Sequence, residues 1–243
     1  MQISLKHGFV FFCTPKNASN SIEDMLRPHI DLDLQGSPAV RHTNVRQFRR
    51  YLAPYLADVA PETRFETLAL VREPVSWLYS WYRFRARSQL RETHHVNSTA
   101  HVSFRGFLEA YLEEPQPEFA RVGSQAEFLE DEAGRHGIDR LFAYEDLPAL
   151  VHYLAGRIGE PLSLRAINVS PGRVYRSNLL EKLGALHRRA RARLVRDAHP
   201  RPQGPDPRDG LPGPLLDALT ARLQRDFELH ASAQRGPGSN FSG

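Results

Sequence analysis

The chain has 243 residues, 41% hydrophobic and 25% charged, which suits one sizeable core in a single α/β domain. No apolar run approaches the roughly 20 residues of a membrane span, and the lone cysteine, Cys13, excludes an intrachain disulfide and fits a reducing compartment. The formal charge of +4 favours anionic ligands without selecting nucleic acid, and only three of 32 basic residues are lysines: Lys6, Lys16 and Lys182.

The N-terminal stretch MQISLKHGFVFFCTPK has a short apolar core and no small-residue cleavage site, so a cytoplasmic protein without a secretory signal is expected. Within it, Gly8 to Cys13 (GFVFFC) is a continuous apolar run, as expected for a buried strand of a parallel sheet. Thr14-Pro15-Lys16 ends the run, small and polar residues follow, and Ile22, Met25 and Leu26 recur at helical spacing. The unit reads as strand, loop, helix. VRHTNVRQFRRYL reads as a helix entered at Asn44, with Gln47 completing a capping box.

A second strand–helix unit lies in RFETLALVREPVSWLYSWYRF. Phe65 to Val71 is the strand, Arg72-Glu73 its end, and Pro74 the first helical residue. Segment 85–103 is polar and without clear periodicity, so a mobile loop is expected. Helices are expected over 104–112, 126–132 and 148–158, with a strand over 138–144. HPRPQGPDPRDGLPGP (199–214) is a proline-rich excursion between two C-terminal helices, and 236–243 reads as a disordered tail behind a single domain of residues 1–235. Alternating strands and helices imply a mainly parallel sheet covered on both faces, with ligands at the carboxyl ends of its strands.

Lys16 and Arg72 both fall at such ends. The first helix, beginning around Ser19 to Ser21, offers unpaired N–H groups and a positive dipole end, to which Lys16 adds a charge and Ser19, Asn20 and Ser21 add side-chain donors. The alternative is an ordinary N-cap formed by Ser19 or Asn20. The stretch does not match G-x-x-x-x-G-K-[ST], and the position after ETLALV that a metal carboxylate would occupy holds Arg72. An arginine fork at Arg72 and the Ser80 hydroxyl, eight residues on, suit a phosphate. The alternative for Arg72 is a salt bridge to Glu73 or to a neighbouring helix, and for Ser80 a small residue in a packed helix.

Together PKNASNSI and LVREPVSWLYSWYRF resemble the sulfotransferase superfamily that uses 3′-phosphoadenosine 5′-phosphosulfate (PAPS). Looser matches, SQAEFL at 124–129, YEDL at 144–147, NVS at 168–170 and DFELHA at 226–231, resemble the branch of carbohydrate O-sulfotransferases and their bacterial relatives. The resemblance implies a P-loop-like sulfotransferase fold. It also implies that the loop Pro15, Lys16, Asn17, Ala18, Ser19, Asn20 and Ser21 holds the 5′-phosphosulfate, with backbone amides from Asn17 to Ser21 on the phosphate and Lys16 catalytic. By the same resemblance Arg72 and Ser80 hold the 3′-phosphate, and Ser170 and Arg173 a loop over the nucleotide. No metal is implied; the partner is an acceptor hydroxyl, by branch resemblance that of a carbohydrate.

Transfer to a hydroxyl needs a base. His42 is the candidate, its pKa expected to be lowered by the helix N-terminus that follows. Glu23 is the alternative, expected to face outward or pair with Arg27. His94, His95 and His101 match no common metal spacing. Glu145 or Asp146 is expected to cap the following helix, and Trp77 and Trp81 to pack or, for one of them, to border the adenine. Two other classes stay open: a P-loop kinase-like phosphotransferase, and a nucleic-acid-binding module using HRRARARLVR (187–196).

Overall fold

The computed structural model describes residues 1–87, 95–164 and 206–235. Strands β1 (Gln2–Ser4), β2 (Phe9–Phe12), β3 (Leu32–Asp33), β4 (Glu66–Val71) and β5 (Arg140–Ala143) form one sheet in the order β3-β1-β2-β4-β5. β2, β4 and β5 are parallel neighbours, with Phe12 opposite Ala69 and Val71 opposite Ala143. β1 is antiparallel to both β2 and β3, so the sheet is mixed and the mainly parallel expectation is corrected. The cause is local. Only residues 5–8 separate β1 from β2, far too few for the crossover a parallel pair requires.

Helices follow in chain order: α1 (Ser19–Leu26), α2 (Pro38–Arg41), α3 (Val45–Gln47), α4 (Ala53–Val59), α5 (Pro74–Arg85), α6 (Phe104–Leu112), α7 (Gln125–Leu129), α8 (Leu147–Ile158), α9 (Gly213–Arg222) and α10 (Gln224–Gln234). A π-helical turn, Phe48–Leu52, joins α3 to α4. The Asn44–Gln47 capping box opens α3 as the sequence predicts. α7 stops at Leu129, three residues short of its expected end, where Glu130 turns extended and bridges to His136. β5 begins at Arg140, two residues late. Among the described residues no helix is long and apolar enough to cross a membrane.

Side-chain alternation explains the continuous apolar runs. Phe9, Phe11, Leu68, Leu70 and Phe142 join Ile22, Leu26, Leu150 and Leu154 on the face covered by α1 and α8. Val10, Phe12, Ala69, Val71, Leu141 and Ala143 join Val45, Phe48, Leu56, Leu129 and Leu229 on the other. Both faces are covered, so β2 and the Leu68–Val71 part of β4 are apolar on both sides, while β1 alternates Gln2, Ile3 and Ser4 with all three buried. A third cluster packs Trp77 and Leu78 of α5 against α6 and α9. Phe11 is almost wholly buried. Phe11→Ala is expected to cost about 3–5 kcal/mol of stability, read by calorimetry as a fall in the thermal midpoint of roughly 10 °C.

Two loop expectations change. Residues 95–103 of the expected mobile loop pack on α5: Thr99 is fully buried, and its N–H and hydroxyl donate to the Arg85 and Tyr82 carbonyls at 3.2 and 2.7 Å. The described end of the proline-rich excursion is anchored, because Arg208 forms an ion pair with Glu73 at the start of α5. Ser170, Arg173, the NVS motif, the basic run 187–196, the tail 236–243 and His94 lie outside the described residues.

Candidate functional site

The loop between β2 and α1 lacks glycine yet takes a glycine-like path. Lys16 and Ala18 have φ of 67° and 56°. Left-handed geometry costs a residue with a Cβ roughly 1–2 kcal/mol, and such outliers cluster at functional sites. Three contacts hold the turn in place. Ser19 Oγ donates to the Thr14 carbonyl at 2.8 Å, Trp77 Nε1 to the Pro15 carbonyl at 2.9 Å, and Asn17 Nδ2 to the Leu70 carbonyl at 2.8 Å. Trp77 is therefore a packing residue that also pins the loop.

The N-cap of α1 is Ala18, which makes no side-chain cap, so neither Ser19 nor Asn20 fills that role. Asn20 instead accepts from Arg41. The Ser21 N–H donates to the Ala18 carbonyl at 2.9 Å, which removes it from the five amides expected to face a ligand. The amides of Asn17, Ala18, Ser19 and Asn20 have no backbone acceptor among the described residues. The Thr14 hydroxyl beside them is buried without a hydrogen-bond partner among those residues. This donor set fits an anion.

Lys16 Nζ lies 4.0 Å from the centre of the Phe84 ring and 5.6 Å from that of Trp81. Burial, then the positive charges of Arg87 and Arg72, lower the ammonium to about 8. Two sites read separately in sequence thus share one electrostatic neighbourhood. Trp81 serves the lysine, not the hydrophobic core alone.

Arg72, at the end of β4, is 6% exposed, with its guanidinium 4.4 Å from the centre of the Tyr144 ring. Glu73 does not pair with it. Glu73 caps α5, accepting from the Val75 and Ser76 N–H groups at 3.1 and 2.8 Å, and pairs with Arg208. Ser80 is half-buried on α5, its hydroxyl making no hydrogen bond among the described residues.

Between loop and arginine sits Gln125, the first residue of α7 and 1% exposed. Its Oε1 accepts from Asn17 Nδ2 and from the Arg72 N–H, both at 2.8 Å, and its Nε2 donates to the Arg72 carbonyl at 2.7 Å. Asp226 of α10 accepts from the Gln125 N–H at 2.7 Å; burial pushes its carboxyl up to about 6 despite that bond. Asp146 caps α8, while Glu145 accepts from the Glu73 N–H at 3.1 Å and contacts His230 Nε2 at 2.9 Å. The looser motifs SQAEFL, YEDL and DFELHA are neighbours in space behind the strand ends.

His42 is the C-cap of α2, and its Nδ1 lies 2.6 Å from the carbonyl oxygen of Cys13 at the end of β2. A carbonyl only accepts, so Nδ1 carries the proton of the neutral ring and Nε2 keeps its lone pair. Its pKa is lowered, as expected, but the leading cause is burial, followed among the lowering effects by Arg41; the carbonyl contact works in the opposite sense. Glu23 is not outward-facing. It is 4% exposed and bound through both oxygens to Arg41, with Nε at 2.9 Å, while Arg27 approaches Asp24. Burial alone would raise the Glu23 carboxyl, yet the hydrogen bonds from Arg41 hold it below its ordinary value. A carboxylate so engaged is a poor proton acceptor. Burial drives the neighbouring Cys13 thiol up to about 12, so it stays protonated.

Elsewhere, a depression of about 420 Å³ lined by Arg46, Arg49, Arg50, Asp131 and Arg135 includes none of the expected site residues. Its Arg49 and Arg135 already reach Asp131, at 2.7 and 3.5 Å. His95 Nδ1 accepts from the Asn97 N–H at 3.1 Å and His101 packs edge-on to Phe119; among the described residues no group of His, Cys, Asp or Glu is arranged to hold a metal.

The chain is thus an α/β protein with a mixed sheet and a cationic loop-and-arginine site at the carboxyl ends of adjacent parallel strands. No family model, curated protein or solved structure matches it.

Proposed function

We propose that the chain is a PAPS-dependent sulfotransferase that moves the sulfuryl group onto an acceptor hydroxyl, a carbohydrate being the acceptor class favoured by sequence resemblance. One observation carries this reading. Lys16 with its open amides, and Arg72 with its buried guanidinium, stand at the ends of the adjacent strands β2 and β4, close enough for Arg72 to lower the lysine's pKa. Two cationic stations on neighbouring strand ends suit a ligand with two separate phosphates, and a 3′-phosphate is what distinguishes PAPS from ATP.

In the proposed reaction the acceptor oxygen attacks sulfur in line, forming one S–O bond as the S–O bond to the 5′-phosphate breaks. His42 Nε2 takes the hydroxyl proton. The electron pair of the broken bond leaves on the 5′-phosphate of 3′-phosphoadenosine 5′-phosphate (PAP). Lys16 and the amides of Asn17 to Asn20 stabilise that charge. A sulfuryl group carries less charge than a phosphoryl group, so protein donors can serve where phosphoryl transfer relies on a cation clamp.

Incubation with PAPS labelled in the sulfuryl group, across sugar, phenol and amine acceptors, tests the reading through label on the acceptor. His42→Ala is expected to lower kcat by about 10²–10⁴-fold and to leave the Kd for PAP unchanged; unaltered turnover removes His42 as base. Because His42 must be neutral to act, and its pKa is lowered, the acid limb of kcat/KM is expected below the ordinary histidine value of about 6.5.

A further inference from the structure

We infer that Gln125 is a positioning residue that fixes the separation of the two anion stations and so sets selectivity for a ligand bearing two phosphates. The inference rests on the proposed donor site and concerns a side chain the ligand need not touch. Gln125 is the one side chain hydrogen-bonded both to the loop of Lys16 and to the backbone of Arg72 among the described residues.

The geometry leaves little slack. Each anion station hangs on a separate strand end, and loops at strand ends can shift independently. The Gln125 amide spans them with three hydrogen bonds of 2.7–2.8 Å, two at Arg72 and one at Asn17. Asn17 is itself 1% exposed and tied to β4 through the Leu70 carbonyl, so the loop cannot drift without breaking buried bonds. Gln125 is held in turn from behind, where Asp226 accepts its N–H, and by the Ser124–Glu127 capping box that starts α7. A preorganised pair of stations binds a two-phosphate ligand with the second contact made at high effective concentration. A single phosphate gains nothing from that spacing.

The test compares PAP, 5′-AMP and 3′-AMP by titration calorimetry on the full chain. Gln125→Met keeps the length of the side chain and removes all three bonds. The wild type is expected to bind PAP at least about tenfold more tightly than either monophosphate. Gln125→Met is expected to lose most of that advantage, while its Kd for 5′-AMP stays within about threefold of wild type. Asn17→Ala cuts that link from the loop side, together with the Asn17 bond to the Leu70 carbonyl. It gives the reading where Gln125→Met does not fold, and in the double variant its effect should be less than additive.

A Gln125→Met protein that keeps the PAP advantage overturns the inference, as does an equal loss for all three ligands, which marks a merely structural role. A wild type with no preference for PAP over the monophosphates overturns the donor-site reading itself and the inference with it.

Discussion

Lys16→Ala is expected to reduce kcat for sulfuryl transfer from PAPS by about 10²–10³-fold, the scale seen when a donor to developing charge is removed. The surroundings of the lysine suit the role proposed for it. A left-handed backbone at φ 67° sets its direction, and the Phe84 and Trp81 rings flank its ammonium. In the proposed reaction only the protonated amine would stabilise the leaving phosphate, and burial with Arg87 and Arg72 has lowered it to about 8. In the ligand-free protein the form the proposal requires is therefore present below that value and lost above it. kcat/KM is expected to fall as pH rises through about 8. Bound PAPS brings negative charge beside the amine and raises its pKa, so the alkaline limb of kcat is expected at higher pH. Full activity in Lys16→Ala, or an alkaline limb that persists unchanged in Lys16→Arg, would remove the lysine from this role.

Arg72→Ala is expected to weaken PAP binding by about 2–5 kcal/mol, roughly 30-fold to several thousandfold, the range for removing one partner of a buried charge-assisted pair. Its Kd for 5′-AMP, which lacks the 3′-phosphate, should stay close to wild type. The surroundings of Arg72 suit the proposed 3′-phosphate contact: its guanidinium is buried over Tyr144 and its backbone is fixed on both sides by Gln125. Arg72→Lys restores charge but not the planar fork, so it should recover only part of the loss. An equal loss for 5′-AMP in Arg72→Ala would place Arg72 at the other phosphate.

The parts of this site visible in sequence are those with local signals. The apolar runs ending at Cys13 and Val71, Pro74 at the start of α5 and the Asn44–Gln47 box place the strand ends and helices where they are observed. β1 and β3 have three and two residues, too short for any periodicity to register, and with them went the antiparallel edge. The left-handed turns at Lys16 and Ala18 carry no glycine to announce them. Glu23 pairs with a residue 18 positions away, where helical spacing pointed to Arg27. Gln125 stands just before the helix expected from 126; its partners stand 53 and 108 positions away, and SQAEFL was the only hint of it. His42 titrates low mainly through burial, a property of the folded chain that its helix-flanking position could not supply.

The central claim is that loop and arginine together form a site for the 3′,5′-bisphosphate nucleotide, and comparative thermal stabilisation by PAP and by ATP with Mg²⁺ tests it most directly. A ligand at 100 times its Kd stabilises the folded chain by about 2.7 kcal/mol, a shift of several degrees for a protein of this size. PAP is expected to raise the midpoint by that amount, and ATP with Mg²⁺ at equal concentration to raise it much less. A larger shift with ATP and Mg²⁺ than with PAP would contradict the account and favour a phosphotransferase.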